Sequence, residues 1–108
     1  MSNLTKKIIK VNIEDKDYIM AFDMKSIETY KELTNSSFTL GYSKLMQLDD
    51  TEIINFLGVS LRPVEDEENP IGKKVYDMDI LNLLINYSGY AIDLVLNSLP
   101  KNKNSKKK

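Results

Sequence analysis

The sequence predicts a mainly helical α+β domain, with an N-terminal antiparallel β-hairpin packed on four to five helices. Three observations carry that prediction. Apolar residues alternate with period two between Lys6 and Phe22. The period changes to 3.6 at one residue, Asp23, after which Met24, Ile27, Tyr30 and Leu33 recur at helical spacing. The segment 75–99 then holds the densest apolar residues of the chain, again at helical spacing.

Each element follows from local chemistry. Residues 1–5 carry no pattern and are expected to fray. Lys6–Ile13 reads as a strand with Ile9, Val11 and Ile13 on one face and Ile8, Lys10 and Asn12 on the other. Glu14-Asp15-Lys16-Asp17 is a polar link without an Asn-Gly or Asp-Gly pair, so the hairpin's turn type stays open. Two strands alone are marginal in water, so this hairpin needs helices or a neighbouring edge to pack on. Tyr18–Phe22 is the second strand, and Asp23 is placed to cap the helix that follows. Phe22 and Asp23 are therefore read as structural residues joining hairpin to helices.

Thr34-Asn35-Ser36-Ser37 breaks the first helix. Phe38, Tyr42, Leu45 and Met46 mark an amphipathic second one, weakened by Gly41. Asp49 with Glu52 resembles a capping box opening a third helix, on which Ile53, Ile54, Leu57 and Leu61 form the apolar face. Pro63 stops that helix by making Arg62 a poor helical residue. Between Pro63 and Lys74 the chain reads as its longest irregular segment, a mobile loop carrying the solvated acidic run Glu65-Asp66-Glu67-Glu68. Asp77 and Asp79 suit the start of a helix. Ile80, Leu81, Leu84, Ile85, Ala91, Ile92, Val95, Leu96 and Leu99 form a stripe in phase across Ser88-Gly89. The clustering of Asn86, Ser88 and Gly89 favours two helices with a break at residues 87–89 over one long helix.

The chain of 108 residues is the length of one domain, able to bury roughly two-thirds of its unfolded surface. Residues 1–100 are assigned to the globular domain and 101–108 to a disordered Lys-rich tail. Five lysines in that tail leave 10 basic against 16 acidic residues, so the body has a charge near −6. An acidic body argues against nucleic-acid binding by the folded part, whereas the tail could touch nucleic acid or an acidic partner.

Composition narrows the chemistry further. No Cys and no His occur, which removes thiolate chemistry, the usual general base and the usual zinc ligands. No GxxxxGK[ST] or GxGxxG motif is present. The acidic pairs Asp49/Asp50 and Asp77/Asp79 sit where helix starts want acids. The reading is a non-enzyme with no cofactor and no metal. No apolar run reaches the ~18 residues of a membrane span, and the N-terminal apolar run is short for a signal peptide, so the expected setting is the cytoplasm. Six tyrosines suit half-buried or interface positions. Tyr87 and Tyr90, flanking the expected break, are the better candidates for partner contact, together with Phe56 and Val59 on the less apolar side of the third helix.

Taken in order, YIMAFDMKSIETYKELTNSS, an amphipathic helix, DDTEIINFLGVSLRP, an acidic loop and NLLINYSGYAIDLVLNSL resemble the tail assembly chaperones of long-tailed phages and prophages of low-GC Gram-positive hosts. The resemblance covers about residues 8–99 and rests on hydrophobic spacing and a few polar marks. Phe22-Asp23, Ile27-Glu28, Asn35–Ser37, Ser60-Leu61-Arg62 and Gly89–Leu99 stand where the family has its aromatic-Asp strand end, acidic helix region, small-residue break, "ALR"-like step and C-terminal helical pair. The hairpin departs from the family in lacking a Gly turn, and the 63–74 segment lacks the family's Thr and Glu run.

The resemblance implies a non-enzymatic role in the host cytoplasm. Such proteins bind the tape measure protein, a long helical chain, and keep it soluble while tail tube protein polymerises around it; they leave before the tail is complete. It also implies a longer form made by ribosomal frameshifting, with which the Lys106-Lys107-Lys108 terminus is compatible. Weak self-association is expected through the hairpin edge or apolar helix faces. The alternatives are a small nucleic-acid-associated regulator using the basic tail and a minor structural tail component.

Overall fold

In the computed structural model, which describes residues 7–99, a three-stranded antiparallel sheet packs on a cluster of helices, a mainly helical α+β fold. The elements are β1 (Ile9–Ile13), β2 (Lys16–Met20), α1 (Met24–Thr34), α2 (Phe38–Met46), α3 (Asp50–Ser60), β3 (Leu61–Pro63), a 3₁₀ helix (Gly72–Asp77) and α4 (Ile80–Ser98). The expected fraying of 1–5 and the Lys-rich tail 101–108 lie outside the described residues.

The hairpin is tighter than its polar link suggests. Ile13 pairs with Lys16, leaving only Glu14 and Asp15 in the turn. Both have positive φ, 54° and 65°, the requirement of a type I′ turn. Two acidic residues thus take a conformation usually given to Asn-Gly, because the right-handed twist of the strands selects the turn. Asn12 donates to the Asp17 carboxylate across it at 2.8 Å.

The sheet has a third member that the periodicity does not show. After α3 ends at Ser60, Leu61–Pro63 pairs antiparallel with β2, Ile19 opposite Arg62 and Met20 opposite Leu61. The order β1-β2-β3 places β2 centrally. Pro63 ends a short edge strand, a position where a missing N–H costs least. The segment after it is also less irregular than expected. Asp66 N–H donates to Pro63 O, Ile71 N–H donates back to Leu61 O, and the chain turns into the 3₁₀ helix at Gly72.

α3 is the axis of the core. Every residue from Glu52 to Ser60 is buried, as for a helix surrounded by protein on all sides. This corrects the placing of Phe56 and Val59 on a partner-facing side. Both are fully buried: Phe56 stacks on Tyr30 with ring centroids 5.0 Å apart and meets Phe22 and Phe38 at 6.1 Å. A helix with apolar residues right round it has no solvent side to offer.

α4 is one helix, continuous through Ser88 and Gly89, not the expected pair. Gly costs about 1 kcal/mol in a helix interior, which a stripe in phase on both sides outweighs. The asparagines that suggested a break bond along the helix instead. Asn86 donates to Asn82 at 2.6 Å, and Asn97 to Asp93 Oδ1 and O at 2.8 Å.

Candidate interaction surface

The α1 N-terminus ties hairpin to helices. Asp23 is its N-cap: Ser26 N–H donates to Asp23 Oδ1 and Asp23 N–H to Ser26 Oγ, each at 3.2 Å, a reciprocal capping box. The Ser26 hydroxyl also donates to Ala21 O at 3.2 Å. Onto this box comes Arg62 from β3, only 1% exposed. Its Nη2 donates to Asp23 Oδ1 at 2.6 Å and Ser26 Oγ at 2.9 Å, and its Nη1 to Asp23 Oδ2 at 3.2 Å. Nη1 also donates to Glu67 O at 3.2 Å. The fork–fork geometry fixes the guanidinium plane. Phe22 is fully buried beside Phe38 and Phe56.

A second buried polar pair lies where α1 meets α3. Tyr30 OH donates to Glu52 Oε1 at 2.8 Å. Glu52 therefore does not complete the capping box expected with Asp49, which accepts the Glu52 N–H at 3.0 Å but gets no reciprocal bond. Burial, then the bond to Glu52, push the Tyr30 phenol up to about 12. Tyr76, bonded to Asn55 Oδ1, is raised too, by burial and then by the Glu52 charge. Neither tyrosine lines the cleft of about 570 Å³ between α1 and the 3₁₀ helix, formed by Lys25, Thr29, Glu32, Leu33 and residues 69–73. Among the described residues, no group of three or more acidic side chains could hold a metal ion. No described helix is long and apolar enough to cross a membrane.

The surface that stands out is on α4. One face of the helix, Leu83, Ala91, Leu94, Val95 and Ser98, is buried in the core. A second apolar stripe points to solvent: Leu81 is 66% exposed, Ile85 69% and Leu96 47%, with Ile92 half-buried between them. At 100° per residue these four fall within about 60° of one another. Ser88 and Gly89 sit at the middle of the stripe, and a Cβ on Gly89 would meet nothing within 4 Å. Asp93 is the sole charged residue of α4, and it turns aside to pair with Lys7 at 3.0 Å. Scattered apolar residues on a surface are ordinary; here four lie on one helix face, in two pairs at i, i+4 spacing on either side of Ser88-Gly89.

Tyr87 and Tyr90 do not join the stripe. The Tyr87 hydroxyl donates to Asn12 O at 3.2 Å, fastening β1 to α4. Tyr90, whose ring lies 5.8 Å from that of Tyr87, is half-exposed and lies about half a turn round the helix from Leu81. The residues that sequence reasoning missed are Leu81, Ile85, Ile92 and Leu96, all assigned there to a single stripe with the core residues. The available signal was width. Apolar side chains at both i, i+4 and i+2, i+3 offsets cover far more than the ~100° that one packed face needs.

Comparison of the chain with protein-family models, with curated proteins and with solved structures finds no match.

Proposed function

We propose that the chain is a phage tail assembly chaperone that holds helical segments of the tape measure protein on the outer stripe of α4. The observation that carries this reading is the stripe itself, a charge-free apolar rod on an acidic body. Helices pack on one another through ridges at such i, i+4 spacing, and binding would cover apolar client surface that otherwise drives aggregation. The sequence resemblance at Phe22-Asp23, Ser60–Arg62 and Gly89–Leu99 supports the same assignment. The role is non-enzymatic and cytoplasmic in the host. The client is passed on as tail tube protein assembles around it, so the chaperone is absent from finished tails.

Co-expression with the tape measure protein tests the reading. The expected result is a soluble complex of the two and no trace of the chain in purified particles. Failure to keep the client soluble, or presence in particles at fixed stoichiometry, overturns it. The latter would favour a structural tail component. The Lys-rich terminus favours a second reading, a nucleic-acid-associated regulator. That reading requires salt-dependent binding of DNA or RNA that is lost on truncation after Pro100.

A further inference from the structure

We infer that a second copy of this chain occupies the outer stripe of α4, forming a reversible antiparallel α4–α4 dimer with a two-fold axis between Ser88 and Gly89. The stripe is self-complementary. Its two i, i+4 rows, Leu81-Ile85-Gly89 and Ser88-Ile92-Leu96, have mirrored order. Turned antiparallel about that midpoint, Leu81 lies against Leu96, Ile85 against Ile92 and Ser88 against Gly89. Exchanging the copies restores the same pairs, the defining property of an isologous contact. The smallest side chains meet at the crossing, where helix backbones must come closest. Gly89 has open space where the partner would enter. The two Asp93 carboxylates do not face each other: they lie about nine residues apart along the axis, roughly 14 Å, and each is paired to its own Lys7.

The area sets the strength. Complete burial of a Leu or Ile takes on the order of 100 Å² out of water. With the exposures here, the stripe offers roughly 200–300 Å² of side-chain surface per copy, below the ~800 Å² per partner of a standard interface. The dimer is therefore transient. Self-association is measured on the chain alone, so its failure leaves the client reading standing, and the reverse also holds.

Sedimentation velocity on the full chain from about 10 µM to about 1 mM tests the proposal, with cysteine cross-linking to read the register. The wild type is expected to shift from monomer to dimer, and Ile85→Lys to remain monomeric at every concentration while keeping the wild-type circular dichroism spectrum. The absence of native Cys makes the cross-links clean. A short bismaleimide should bridge Ser88→Cys with itself. It should join Leu81→Cys to Leu96→Cys in a mixture, but not Leu81→Cys to itself, because those positions are roughly 22 Å apart in the antiparallel register. A wild type that stays monomeric, an Ile85→Lys variant that dimerises as the wild type does, or self-bridging of Leu81→Cys overturns the proposal.

Discussion

Replacing Asp23 by Ala removes a helix cap and one half of a buried ion pair together. Loss of the N-cap acceptor for Ser26 N–H costs about 1 kcal/mol. The larger part is Arg62. Its side chain is 1% exposed and would keep only Ser26 Oγ and Glu67 O as partners. Breaking a buried pair from one side costs about 3–5 kcal/mol. The Asp23 side chain is 24% exposed, so water can reach the vacated space, and about 2–3 kcal/mol is the better figure for this pair. The sum, about 3–4 kcal/mol, is a large share of the 5–15 kcal/mol that holds a typical domain. Urea denaturation followed by far-ultraviolet circular dichroism measures it. Asp23→Asn, which keeps a capping oxygen, should cost about 1 kcal/mol less than Asp23→Ala. In a double-mutant cycle with Arg62→Met, a coupling of at least about 1.5 kcal/mol is expected. A cost for Asp23→Ala no larger than a cap, with coupling inside about 0.5 kcal/mol, would refute the claim that the pair locks β3 to α1.

Three further outcomes follow from the same structure. The folded-state phenol of Tyr30 is raised to about 12 from 10.0, so its contribution is complete below pH 10 and disappears as pH rises through 12. Stability should fall by about 2–3 kcal/mol over that window, and in Tyr30→Phe this part of the alkaline loss should vanish, as chemical denaturation at stepped pH would show. Gly41→Ala should destabilise by about 1–3 kcal/mol, because a Cβ there would run into the Tyr30 hydroxyl and ring; a thermal melt checks it. Gly89→Ala should instead stabilise the monomer by about 0.5–1 kcal/mol, since it lies in a helix interior with open space beside it. A lowered melting temperature in dilute solution would contradict that.

Local signals wrote much of this fold into the sequence. The strand–cap–helix junction at Asp23 is legible because a period change and a capping acid coincide at one residue, and Asp23 is the N-cap. That a helix ends just before Pro63 is legible because proline constrains its predecessor, although α3 already stops at Ser60 and Leu61, expected on its apolar face, belongs to β3. What was not legible depends on partners distant in sequence. β3 is three residues long, too short to show alternation, and exists because β2 offers it an edge. Nothing local marks Arg62 as buried, because its partner Asp23 lies thirty-nine positions earlier. α3 reads as amphipathic because Asn55 and Ser60 interrupt its apolar surface, yet five elements (α1, α2, α4, β2 and the 3₁₀ helix) pack round it and bury those two as well. The break assigned to residues 87–89 weighed local propensity above the phase of the stripe, and the phase decided the helix. The candidate surface was visible only as an excess of apolar residues on α4; which of them face out is set by where α3 and β1 lie.

The most direct test of the account is the soluble fraction of tape measure protein co-expressed with the wild-type chain or with a Leu81→Lys, Ile85→Lys variant. Both positions are about two-thirds exposed, so the variant should fold with wild-type stability to within about 0.5 kcal/mol per site. The account predicts that the client is soluble with the wild type and aggregates with the variant. A variant that is folded and keeps the client soluble as well as the wild type would contradict the assignment of the α4 stripe as the working surface.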